Sequence, residues 1–106
     1  MYLYRWHNII KFMNIDEQLE QIIEQTIQGV VTTIPTHLEE IEQNKETLKV
    51  NDPKEFVYGL IMGMGLGMAS ALMTTITNQI PTIEEQIKVR DMIYKKIPLI
   101  REQIYK

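Results

Sequence analysis

The chain of 106 residues is 44% hydrophobic and 24% charged, carries a formal net charge of −3 and contains no cysteine. That balance belongs to one folded globular domain and excludes a disordered chain, a disulfide scaffold, a thiolate nucleophile and a thiolate metal site. The acidic net charge speaks against general nucleic-acid affinity, and the absence of cysteine suits a reducing, cytoplasmic setting.

Charge is unevenly placed along the chain. Residues 14–50 hold eight acidic and two basic side chains, whereas 81–106 hold four acidic and six basic ones, so the two halves are electrostatically complementary. The first twelve residues contain Tyr2, Tyr4, Trp6 and Phe12 with Arg5 and Lys11 and no acid. The longest apolar run there is Ile9-Ile10, too short for a signal peptide. An interfacial membrane anchor would use the same aromatic and basic residues. The simplest expectation is a disordered N-terminal extension over 1–13, with a second possible start at Met13, preceding a single helical domain over 14–106.

Asn14, followed three residues on by Glu17, is an N-cap with a capping-box partner. Ile15, Leu19, Ile22, Ile23, Ile27, Val30, Val31 and Ile34 then recur at helical spacing, predicting a core-facing helix that stops near Ile34, before Pro35. Thr36 and Glu39 predict a second capping box. It opens a more solvated helix with Leu38, Ile41 and Leu48 on its thin apolar side and Asn51 at its end. Asp52-Pro53-Lys54-Glu55 is the strongest start signal in the chain, with an N-cap, a proline in the first turn and a glutamate three residues on.

The helix launched there is uncharged from Phe56 to Ile83 and is rich in glycine and methionine. At 100° per residue, Gly59, Gly63, Gly67, Ser70 and Thr74 share an arc of about 80°, with Val57, Ile61, Met64, Met68 and Leu72 roughly opposite. Each interior glycine costs about 1 kcal/mol relative to alanine, and close approach of another helix is the natural compensation. That neighbour is either a second copy of the chain or the 15–34 helix of the same chain. Asn78 and Pro81 mark the stop. Thr82 and Glu85 form another capping box, opening a last helix with Ile83, Ile87, Ile93, Ile97, Ile100 and Ile104 on its apolar side and a kink or break at Pro98.

Ile34-Pro35-Thr36 and Ile80-Pro81-Thr82, each followed by paired glutamates, suggest two related helical hairpins. The fold expected is therefore all-α: a four-helix bundle of two antiparallel hairpins with the Gly/Met-rich helix at its centre.

No residue pattern points to catalysis, a cofactor or a metal. His37 and Glu40 stand in reverse order to the Glu-x-x-His of di-iron bundles, and Glu17, Glu20 and Glu24 read as a solvated face. Ser70, the only serine, lacks a nucleophile-elbow context. Met62, Met64, Met68 and Met73 spread over more than one face, as core filler does and a copper site does not. The function expected is a small non-enzymatic interaction module that forms a homodimer through Gly59, Gly63, Gly67, Ser70 and Thr74. Two alternatives come from other classes: a single-span membrane protein crossing through residues 56–77, and a nucleic-acid-associated accessory protein using the basic last helix.

Overall fold

The computed structural model describes residues 14–106. The expectations for the extension 1–13 lie outside them. Asn14 opens α1 (Ile15–Val31): its side chain accepts the Glu17 amide at 2.9 Å and donates to the Glu17 carboxylate at 2.7 Å. Leu19, Ile22, Ile23, Ile27 and Val30 are buried along one stripe. Thr26 lies in the same stripe, 1% exposed, with no hydrogen-bond partner for its hydroxyl.

The chain does not turn back after α1. Thr32 (φ −65°, ψ −20°) and Thr33 (φ −87°, ψ −8°) stay in the helical region, and α2 (Ile34–Gln43) begins directly behind them. The Thr32 and Thr33 hydroxyls donate to the carbonyls of Gly29 and Val30 at 2.7 and 2.6 Å, satisfying acceptors near the end of α1. Pro35 has no amide to continue the ladder, which is why the helix breaks here. The Thr36–Glu39 capping box is accordingly not formed. Thr36 lies inside α2, where the capping geometry is absent.

Short α3 (Lys45–Leu48) follows and ends at Lys49 in the left-handed region (φ 57°), so the stop falls two residues before the expected Asn51. Leu48 is exposed, and only Ile34 and Ile41 of this segment are fully buried.

Asp52 accepts the Glu55 amide at 3.3 Å and starts α4 (Pro53–Thr77), which runs to Asn78 in the left-handed conformation as the sequence predicts. Thr82 and Glu85 form the expected reciprocal box at 3.1 and 2.9 Å and start α5 (Ile83–Tyr94). Lys95 (φ −66°, ψ −20°) and Lys96 (φ −90°, ψ −3°) then repeat the geometry of Thr32 and Thr33, and α6 (Ile97–Tyr105) follows with Pro98 in its first turn. The expected break at Pro98 is therefore present.

Among the described residues the structure is all-α, with six helices packed on one another. Central α4 packs against α1, α2, α5 and α6, while α1 also lies against α5 and α2 against α6. Lys88 meets Asp16 at 3.4 Å and Lys96 meets Glu24 at 3.2 Å, each across 72 residues of chain, so α1 and α5 run parallel in a constant register. These pairs join the acidic first half to the basic second half, as the charge asymmetry predicts. The first expected hairpin is replaced by a bent leg. The duplication suggested by the two Ile-Pro-Thr segments has no structural counterpart, since Ile34 is 1% exposed within a helical step and Ile80 is 82% exposed in a turn.

Candidate interaction face

The surface of α4 follows from its packing angle. Its buried residues are Val57, Ile61, Gly65, Ala69, Met73 and Ile76. Steps of four advance about 40° around the helix, so this line is inclined to the axis and neighbouring helices cross α4 at an angle. The expected opposite face is corrected on that account. Met68 is 43% exposed and Met64 and Leu72 are only half-buried, while Gly65, Ala69 and Met73 take core positions.

The small-residue face stays open. Gly59, Gly63, Gly67 and Thr74 are exposed and Ser70 is half-buried. A Cβ built on any glycine of α4 meets nothing within 4 Å among the described residues, so no helix among them makes the close approach that would offset the glycine cost. Of the two neighbours allowed by the sequence, α1 is excluded. Only 28% of the most apolar 18-residue window of α4 is buried, although the helix is long and apolar enough to cross a membrane.

The Thr74 hydroxyl on this face is already satisfied within the helix. Thr74 donates to the carbonyl of Ser70 at 3.1 Å, as Thr75, beside the face, does to the carbonyl of Ala71 at 3.0 Å. Removing water from the face therefore orphans neither hydroxyl. Beside it lies an open groove of about 320 Å³ between α4 and α5, lined by Leu66 and Ser70 on one wall and by Ile83, Ile87 and Tyr94 on the other. The expected apolar stripe of the last helix is thus split. Val89, Ile93, Ile100 and Ile104 are buried, Ile97 is half-buried, and Ile83 and Ile87 remain 76% and 43% exposed.

At the other end of α4 the structure assembles a cluster that sequence reasoning missed. Glu55 does not complete a capping box. Its carboxylate instead accepts from Arg101 Nη2 at 3.2 Å and from the Tyr105 hydroxyl, and the Arg101 guanidinium stacks 4.6 Å from the Tyr58 ring centre. The Tyr105 hydroxyl and Arg101 hold the Glu55 carboxyl below its ordinary value, while Glu55 pushes Tyr105 above the usual phenol value. Each group is matched to another, so the cluster acts as a clasp between α6 and the start of α4. No local signal joins residues 46 positions apart, although Glu55 in a cap position was visible.

Elsewhere the chemistry is diffuse. Among the described residues, no three His, Asp or Glu side chains converge on a point that could hold a metal ion. Lys88, Arg90, Lys96 and Arg101 of the basic last segment stand in ion pairs with Asp16, Asp91, Glu24 and Glu55. No protein-family model matches this chain, and neither a curated protein nor a solved structure does.

Proposed function

We propose that this protein is a small, non-enzymatic, cytoplasmic interaction module that self-associates through the small-residue face of α4. The observation carrying this reading is the open face itself. Several kcal/mol of glycine cost, at about 1 kcal/mol each, have no compensation among the described residues, and a second helix seated on Gly59, Gly63 and Gly67 supplies it. Two copies placing identical flat faces together form a closed, isologous contact, with Ser70 and Thr74 at its far end and Phe56, 42% exposed, at the near one. The flanking Ile87 and Tyr94 extend the apolar area beyond the helix.

A bilayer crossing through residues 56–77 is the less favoured reading. The line from Val57 to Ile76 is packed on helices whose outer faces carry Asp16, Glu24, Lys88 and Lys96. Inserting α4 would either drag those charges into lipid or strip the helix of its partners. Binding of nucleic acid by the last helix is disfavoured because its cations are largely matched by carboxylates.

Sedimentation of the Gly63→Leu variant tests the proposal. Because the Gly63 side-chain position is open in the single chain, the variant should fold with unchanged helicity and sediment as a monomer under conditions where the parent protein is a dimer. A dimer of unchanged affinity would remove the α4 face as the interface.

A further inference from the structure

Phe56 falls inside the arc that Gly59, Gly63, Gly67, Ser70 and Thr74 share on α4, and its side chain is exposed. Just past the other end of the helix, Ile80 and Ile83 are the two most exposed large apolar side chains among the described residues. No charged residue lies between Phe56 and Ile83. The series from Gly59 to Thr74 has its midpoint between Leu66 and Gly67, and a two-fold axis there pairs Gly59 with Thr74 and Gly63 with Ser70 of another copy. The same axis sets Phe56 against Thr77, beside the α4–α5 turn.

Area and charge say how a second copy sits on this surface. Between Phe56 and Thr77 the helix is about 33 Å long, and a strip about 10 Å wide along it covers only about 330 Å². A stable interface takes about 800 Å² from each partner, so contact confined to α4 is too small. The second copy must also cover the apolar groups that flank the helix, which are Ile80, Ile83, Ile87 and Tyr94. The pairs Asp16 with Lys88 and Glu24 with Lys96 show that α1 and α5 start at the same end of the molecule. That end carries Asp16, Glu17, Glu20, Glu84 and Glu85, and Lys88 is the only cation within residues 14–20 and 82–88. Two α4 helices docked in the same direction would bring both acidic ends together, whereas antiparallel docking separates them by the length of the helix.

We propose that two copies dock their α4 helices antiparallel, so that Phe56 of each copy seats on Ile80 and Ile83 of the other. This rests on the self-association proposed for α4 and adds its direction and its anchoring side chains. The dimer then holds two identical apolar sites, each built from both copies, at opposite ends of one small-residue seam. At a helix crossing angle of about 20° the two axes are offset by only about 5 Å at the level of Phe56, a gap that its side chain spans. Large apolar anchors at the ends and small residues in the middle let the helices approach closely along the seam while the anchors supply most of the apolar area.

The chain has no cysteine, so Gln79→Cys in the full-length protein carries a single spin label at the exposed turn. Pulsed dipolar spectroscopy of the dimer should give a label-to-label distance of about 40 Å, against about 15 Å or less for two helices docked in the same direction. Replacing both turn residues (Ile80→Ser with Ile83→Ser) should raise the Kd of the dimer about tenfold or more with unchanged helicity, since neither side chain is part of the core. Phe56→Ala should weaken the dimer to a similar degree, and the three substitutions together should add little to either set, because both sets remove the same contact. A short label distance would overturn the proposal, as would a Kd unmoved by the isoleucine pair or effects of Phe56 and the isoleucines that simply multiply. Any of these with a dimer still abolished by Gly63→Leu leaves α4 as the interface and rejects only its direction and anchors. A parent protein that sediments as a monomer at every concentration overturns both.

Discussion

The two faces of α4 both contain glycine, yet they behave oppositely. Along one line Val57, Ile61, Gly65, Ala69, Met73 and Ile76 disappear under four neighbouring helices, while Gly59, Gly63, Gly67 and Thr74 face outward. Gly65 and Gly63 make the contrast sharpest. Two residues apart, one is buried and the other exposed, and among the described residues no neighbouring helix comes within 4 Å of where a Cβ would sit on either. The lesson is that glycine in a helix does not by itself identify a contact within the chain. Which glycines are covered depends on the inclination of the packed line, and that is set by the neighbours.

The comparison can be broken most strongly in the buried line. Ile61 is 0% exposed, and Ile61→Ala should lower unfolding free energy by about 2–5 kcal/mol in denaturant titration. Met68→Ala on the open side should change it by no more than about 0.5 kcal/mol. Equal effects would mean that the two faces are not distinct. On α1, the helix packed most extensively on α4, Thr26→Val replaces a buried unpaired hydroxyl by a methyl of similar shape. It should raise stability by about 1 kcal/mol or more.

The glycines sharpen the contrast with a smaller effect. Gly65→Ala and Gly63→Ala each have room for the added methyl, so both should stabilise the folded chain by about 0.5–1 kcal/mol in thermal or chemical denaturation of the monomer. Only Gly63→Ala should weaken self-association, measured by sedimentation of both variants. If both weaken it, the interface is not confined to the open face.

The smallest expected effect concerns the clasp at the start of α4. Glu55 has a folded-state pKa below its ordinary value, so its contribution is present above the usual carboxylate range and is lost as pH falls through the lowered value. Tyr105 has the opposite sign: its raised pKa gives a contribution present below the usual phenol range and lost as pH rises through the folded-state value. Glu55→Gln should flatten the acid limb of the stability–pH curve and leave the oligomeric mass unchanged. Both groups are solvent-accessible, so the change should be modest and should shrink in high salt.

Local signals in the sequence determined where helices start and stop. Asn14, Asp52 and Thr82 each place an acceptor three residues before an otherwise orphan amide, and Asn78 tolerates the left-handed conformation that ends α4. Those interactions span a few residues, so neighbouring sequence suffices to read them. Only the tertiary structure decided which Ile-Pro-Thr became a helical step and which became a turn, because Ile34 is drawn into the core and Ile80 is not. It also decided that Glu55 would leave its cap for Arg101 and Tyr105, and that α4 would bury Gly65 and Ala69 while exposing Met68. The reason is common to all three. Burial and long-range pairing depend on how helices far apart in the chain cross one another, and no periodicity within a single helix encodes that angle.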